Sequence, residues 1–357
     1  MEKYYQSGNS EKNTVPDNSM RKSDHINLAL QSQTLVNESD KRFYYEPMIS
    51  GFPENSSKEI PFAGKKLNVP MWVSSMTGGH QLSGTINRNL AMACKEYGMG
   101  MGLGSCRMLL DKDTYFNDFD VRAIIGDDFP LFANLGIAQI EEMVEKKETD
   151  KIRRLIDNLR ADGLIIHVNP LQEWVQPEGN TIRHPPVETI ERLLEKIDFQ
   201  LIVKEVGQGF GPKSLRQLLR LPLAAIEFGA FGGTNFSKVE IQRSSILTKE
   251  LYQPFVNIGV TAEDMVDLVN DMIIDGEKFA CNQLIISGGI KNYLDGYYLT
   301  EKSILPAIYA QASVFLKYSQ GEYSELQQFV ASQIEGYRMA ANYLTLKEPK
   351  SFKKQQY

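Results

Sequence analysis

Lys204, His167, Asn169, Gln172 and Glu173 are residues of this 357-residue chain whose types and spacing could do chemistry. Lys204 closes the apolar run QLIVK. A lysine there either snorkels from an apolar layer or presents a cation to negative charge on a ligand, and the second reading is adopted. His167 and Asn169 alternate along the run GLIIHVN, so both point to one side. As a lone strand histidine, His167 is either hydrogen-bonded core or a candidate base. Glu173 is the only carboxylate in the segment that ends this run. Hard cations are often held by one or two carboxylates plus substrate phosphates, although a solvated loop glutamate fits the spacing equally well. Arg21, Lys22 and His25 form a small basic cluster in the segment RKSDHINLALQSQ. Such a cluster is either a solvated face or an arm bringing cations over an anionic site, and a diphosphate would suit it. Arg107, Arg243 and Lys291 could assist.

These residues need elements to position them. Short apolar runs alternate with longer helical patterns, the signature of βα units around a parallel sheet. The runs are 70–76, 98–105, 130–136, 163–169, 200–206, 224–230, 255–260, 283–290 and 312–317. Helix candidates between them are 84–97, 150–160, 186–196 and 263–274. Nine runs compete for eight places, and FVNIGV (255–260) is set aside because QLIISGGI follows before the next closure element. Eight repeats without a chain break favour a closed (β/α)8 barrel, a TIM barrel, over a doubly wound sheet. That barrel takes about 250 residues. The expected organisation is a mobile arm over 1–20, a substrate-capping arm and lead-in loop over 21–66, the barrel over 67–320, and a C-terminal helix and basic tail over 321–357.

In such a barrel the site forms at the carboxyl ends of the strands. Nearly every expected strand end carries glycine with Ser, Thr or Asn: Thr77-Gly78-Gly79, Gly104-Ser105-Cys106-Arg107, Asn134-Leu135-Gly136, Gly207-Gln208-Gly209, Gly232-Gly233-Thr234-Asn235 and Ser287-Gly288-Gly289. Glycine lets backbone N–H groups approach a ligand, and hydroxyls and amides add neutral hydrogen bonds. One such turn is ordinary; six on one rim, with the polar residues His167, Asn169, Gln172 and Glu173 at a seventh strand end, point to a large polar, planar ligand. The Gly288-Gly289 pair follows the seventh strand, where this fold builds its phosphate site. A phosphate with many neutral hydrogen-bonding edges suggests flavin mononucleotide, FMN.

Composition narrows the partners. Apolar residues make up 42% and charged residues 24%, ordinary globular values that exclude long disorder. The net charge of −6 weighs against a nucleic-acid groove or an anionic membrane surface. Cys94, Cys106 and Cys281 are too few and too scattered for a disulfide framework or a thiolate metal site. The N-terminus has no apolar signal core, and no apolar run approaches about 18 residues, so the expectation is a soluble, cytoplasmic protein.

The motifs RKSDHI, SSMTGG, GLGSCR, ANLG, IIHVNPLQEWVQPEG, IVKEVGQG, FGGTNFSKVE and ISGGI, in this order, resemble the type 2 isopentenyl-diphosphate isomerases. These are flavoenzymes of the FMN-dependent α/β-barrel group, and the resemblance runs from about Arg21 to Leu316. It implies interconversion of isopentenyl and dimethylallyl diphosphate with reduced FMN and Mg²⁺, NADPH serving to reduce the flavin. It further implies that Arg21 and Lys22, with His25, grip the diphosphate, and that Ser105, Cys106, Arg107 and Asn169 line the substrate. Met76, Thr77, Gly78, Ser105, Asn134, Lys204 and Thr234 would contact FMN. Gly288, Gly289, Ile290, Gln311 and Ala312 would hold its phosphate. Gln172, Lys204 and His167 form the implied catalytic group, and Glu173 would ligate Mg²⁺. An amide is a poor base at neutral pH, so Gln172 would orient or relay a proton. A homotetramer or homooctamer is implied too.

The chain departs from the family pattern at four places. Cys106 stands for a glutamine, Gly229 for a serine, Asn180 for an aspartate, and Tyr309-Ala310-Gln311-Ala312 replaces a glycine-containing element. The alternative readings are another FMN-dependent barrel oxidoreductase, with His167 as base, and a noncatalytic flavin- or isoprenoid-diphosphate-binding protein.

Overall fold

Seven of the expected runs form barrel strands. These are β1 (Met71–Val73), β2 (Gly100–Gly102), β3 (Leu131–Gly136), β4 (Gly163–Val168), β5 (Gln200–Glu205), β6 (Ala225–Glu227) and β7 (Leu284–Ser287). With β8 (Ala307–Gln311) they pair in parallel and close in the order β7-β8-β1-β2-β3-β4-β5-β6, with β6 returning to β7. The computed structural model describes residues 25, 28–52, 59–75, 82–112 and 114–347. Two units emerge, 1–43 and 44–357. In the first, 28–31 is one exposed helical turn, and Arg42 pairs with Asp40 at 2.7 Å.

Side chains alternate along a strand, so each strand sends every second residue into the barrel. The inward floor is Trp72, Phe132, Ile165, Ile202, Ala225, Ile285 and Ile308. Outward residues such as Val73, Leu131, Leu164, Val203 and Ile286 join the larger core against the surrounding helices. Trp72 has no exposed surface, and its ring meets Phe132 edge-on at 6.1 Å. It fits because β2 passes it with Gly100, where an added Cβ would sit 2.4 Å from the indole. Two residues above the floor the composition changes: Ser74, Asn134, His167, Lys204, Glu227 and Ser287 follow the floor residues of six strands. The barrel interior is thus an apolar plug with a polar layer over it.

Two expectations need correcting. The run ASVFLK (312–317) is not the eighth strand: it lies in the helix Ser313–Ser319, and β8 is the preceding AIYAQ. The run is apolar enough for either, but Ile308 and Ala310 fill the floor whereas Phe315 packs in the outer core. The lead-in over 40–66 contains more than loop. Ile60–Phe62 and Lys65–Leu67 pair antiparallel, and Phe62 and Leu67 close the floor, with Phe62 5.4 Å from Trp72. FVNIGV is indeed no barrel strand; 253–257 is a 3-10 turn. The four expected helices form as Ser83–Tyr97, Asp150–Leu159, Pro186–Leu194 and Ala262–Ile274. The C-terminal helix, Tyr323–Tyr343, ends in an extended Leu344–Leu346. Among the described residues no helix is long and apolar enough to cross a membrane.

Replacing Trp72 with alanine removes the ring on which Phe62 and Phe132 pack. Urea unfolding should show a loss of about 3–5 kcal/mol. A loss below about 1 kcal/mol would contradict the role assigned to the floor.

Candidate active site

The polar layer opens into a cavity of about 370 Å³ at the carboxyl ends of β5 to β8 and β1. Its wall includes Ser74, Ser75, Lys204, Thr234 and Gln311, with the glycine pairs Gly232-Gly233 and Gly288-Gly289. Ile290 and Ala312 complete the set expected around a phosphate, so Gly288, Gly289, Ile290, Gln311 and Ala312 do come together. The two glycine pairs also approach each other, Gly233 lying against the backbone of Gly288 and Gly289. Gln311 donates from Nε2 to the Ile290 carbonyl at 3.3 Å. Its Oε1 and the Ser75 hydroxyl are buried without a partner. Native proteins rarely leave such atoms unpaired, so a polar ligand in this cavity is what they fit.

Gly229, one of the departures from the expected pattern, has its own reason. Its φ is +51°, and an added Cβ would lie 2.0 Å from the Glu205 carbonyl oxygen. Its N–H donates to the Ser287 hydroxyl at 2.9 Å, so the hydroxyl at this corner comes from β7 instead. Glu205 shapes the adjoining turn. Its carboxylate accepts N–H bonds from Gly207 and Gly209 at 2.7 and 2.8 Å and from Gln208. Burial holds its carboxyl above the usual range against those bonds.

A second cluster stands at the end of β4. His167 Nδ1 lies 2.7 Å from Asn134 Oδ1, and Asn134 Nδ2 donates to the Leu103 carbonyl at 3.1 Å. Asn169 is buried; its Nδ2 donates to Gln172 Oε1 at 3.1 Å and Glu173 Oε1 at 3.2 Å, while its Oδ1 has no partner. Glu173 Oε2 accepts the Asn180 backbone N–H at 2.6 Å and faces the Asn180 amide nitrogen at 3.4 Å. An aspartate at 180 could not donate that second contact. Farther along, Glu141 accepts the N–H groups of Arg183 and His184, fixing the loop that carries Asn180. Glu173, Gln172 and Asn169 carry the oxygen donor types a hard divalent cation takes, and in this arrangement Asn169 turns its amide nitrogen to the other two.

Lys204 joins the two clusters. It is opposite His167 on β4 and Glu227 on β6 in the strand register. Burial first, and then the Lys204 cation, pull the His167 imidazole down to about 3, so it is neutral near pH 7. A neutral ring bonded to an amide acts as a fixed hydrogen-bonding group there.

The remaining expected residues divide. Ser105 and Arg107 are exposed at the rim after β2. Cys106 is fully buried: its Sγ faces the Gly104 carbonyl at 3.4 Å, and burial pushes the thiol up to about 12. Its side chain belongs to the core, which corrects the expectation that it lines the substrate. Arg21, Lys22, Met76, Thr77 and Gly78 lie outside the described residues, and His25 is exposed in the first unit. Sequence reading passed over Glu227, although a single acid inside the apolar run AAIEFGA was a visible signal.

A closed parallel barrel with a glycine-built polar cavity on its carboxyl rim defines an α/β-barrel enzyme. Among solved structures the chain is similar to a mandelate oxidase carrying an FMN adduct, with TM-score 0.53 and 14% identity over 87% of this chain and 88% of that one. It is also similar to flavocytochrome b2 with sulfite bound, with TM-score 0.55 and 13% identity over 84% and 71%. At those identities the likeness is one of fold. No family model matches the chain. The isopentenyl-diphosphate delta-isomerase of Rickettsia felis is 33% identical over 338 residues, 92% of this chain and 94% of the relative. That of a Nostoc species is 34% identical over 281 residues, 77% of each. The chain therefore belongs to the isopentenyl-diphosphate delta-isomerase family, and it is an enzyme.

The neutral His167 sets the sign of one pH effect. The unfolded chain takes up a proton near pH 6.5 that the folded protein refuses until about 3. Stability from this site is present above pH 6.5 and falls as pH drops through that window, by up to about 1.4 kcal/mol per pH unit. His167→Gln should flatten the acid limb of a urea-midpoint-versus-pH curve. Parallel limbs in the two proteins would contradict the buried neutral ring.

Proposed function

We propose that this protein interconverts isopentenyl and dimethylallyl diphosphate, with reduced FMN in the rim cavity, Mg²⁺ at Glu173 and NADPH as the source of reducing equivalents. The observation that carries the reading is the pairing of two unsatisfied sets within a member of this family. Ser75 Oγ and Gln311 Oε1 are orphaned in the cavity, and Asn169 Oδ1 is orphaned beside Glu173. When bound, reduced FMN would supply general acid–base chemistry, giving a proton to the terminal alkene carbon and taking one from the allylic carbon, with no net redox change. Mg²⁺ supplies charge neutralisation at the diphosphate.

The chain's own residues do the rest. The glycine pairs 232-233 and 288-289 admit a phosphate close to the backbone. Lys204 places a cation at the inner wall of the cavity, where it opposes negative charge on the flavin ring. Thr234 and Ser75 offer hydroxyls to ring edges. Across the mouth, Asn169 holds Gln172 and Glu173 in one orientation. In this reading Gln172 orients or relays a proton at the isoprenoid end, and Glu173 meets the metal on the diphosphate. His167 stays neutral and adds a hydrogen bond without competing for the anion. The resemblance also assigns Arg21 and Lys22 to the diphosphate.

Glu173→Gln removes the anionic ligand while retaining an oxygen for Asn169. FMN affinity, read from quenching of flavin fluorescence, should stay within about threefold of wild type. The Mg²⁺ concentration needed for half-maximal turnover should rise at least about tenfold, a loss of about 1.4 kcal/mol. An unchanged Mg²⁺ dependence would remove the metal assignment.

A further inference from the structure

Glu227 is a buried carboxylate for which the reaction above has no use. It has no exposed surface, sits on β6, and points into the polar layer beside Lys204, whose Nζ is 3.9 Å from Glu227 Oε1. The Ser74 hydroxyl, from across the barrel on the β1 end, donates to the same oxygen. Glu227 Oε2 has no partner. An ionised group in so closed a place is costly unless a countercharge and hydrogen bonds meet it. The neighbouring acid, Glu205, is no substitute: it turns to the N–H groups of its own turn. From the other side, His167 is neutral and bonded to Asn134. The Ser287 hydroxyl is engaged by Gly229.

Lysine carries a compact charge on a flexible four-carbon stem, so its position is only as fixed as its partners make it. Strand register brings Lys204 and Glu227 opposite each other, and Ser74 braces the carboxylate from a third strand. We propose that Glu227, braced by Ser74, is a positioning residue that holds the Lys204 ammonium at the inner wall of the cavity. The inference rests on the reading of that cavity as a flavin site. Its consequence is that Glu227, although negative, favours the reduced flavin, because it keeps a cation in place.

The sign of that effect makes it testable. Acting only through its own field, Glu227 would hinder flavin reduction, and removing its charge would raise the midpoint potential. Acting through Lys204, its removal lets the cation move away and lowers the potential. The holoprotein is titrated spectroelectrochemically as wild type, Glu227→Gln, Lys204→Met and the double variant, with FMN affinity measured beside it. The potential in E227Q should fall in the same direction as in K204M, and the double variant should fall no further than K204M. A rise, no change, or additive falls would overturn the proposal. Should E227Q not fold, Ser74→Ala keeps both charges and carries the test alone: a smaller fall supports the brace, and no shift overturns it. A wild-type protein that binds no FMN would defeat the flavin reading and this inference together. FMN binding with an unlowered E227Q potential would defeat the inference alone.

Discussion

Everything at the mouth of this barrel depends on the alternation of side chains along its strands. On six strands an inward apolar position closes the floor and the next inward position, two residues on, is polar; Ser74, Lys204 and Ser287 of that layer line the cavity. The floor has to be made first. Each large side chain buried there contributes about 1.5–3 kcal/mol, and Trp72, Phe132, Phe62 and four isoleucines share it. The layer above contributes little by comparison, since a buried ion pair such as Lys204–Glu227 roughly breaks even against its desolvation. The polar layer persists because the plug beneath is strong enough to carry it.

That division of labour explains how the site is arranged. Strands β5 to β7 lead into glycine-bearing turns around one cavity and β8 adds Gln311, whereas β4 ends in a cluster of amides and one carboxylate. Lys204 lies between them. Its charge faces the cavity on one side and, on the other, adds to the burial that keeps His167 neutral. On the proposed reading, an anionic ring and a metal-bound diphosphate would sit side by side, and a single fixed cation with neutral groups around it suits that arrangement. The overall charge of −6 repels anions at long range, so attraction here is local.

Much of this was legible in the sequence, for physical reasons. Runs such as PLFANLG and GLIIHVN are long, apolar and bounded by turn residues, and each became a barrel strand ending on the residues named for it. The glycine pairs at 232 and 288 were readable because backbone approach requires them. The eighth strand was misplaced because ASVFLK is as apolar as AIYAQ, and only barrel closure decides between them. Cys106 was placed on the substrate because the GLGSCR motif resembles the family pattern; the turn after β2 points its side chain inward instead. Glu227 escaped notice because its partners, Ser74 and Lys204, are 153 and 23 residues away in sequence and meet only when the barrel closes.

The central claim is that this barrel isomerises an allylic diphosphate and uses its reductant only to prime the flavin. It is tested most directly by incubating the protein anaerobically with isopentenyl diphosphate, FMN, Mg²⁺ and NADPH. Proton NMR follows dimethylallyl diphosphate while NADPH loss is counted in the same tube. The account predicts many product molecules formed for each NADPH consumed. One NADPH consumed per product, or flavin reduction without any dimethylallyl diphosphate, would contradict it.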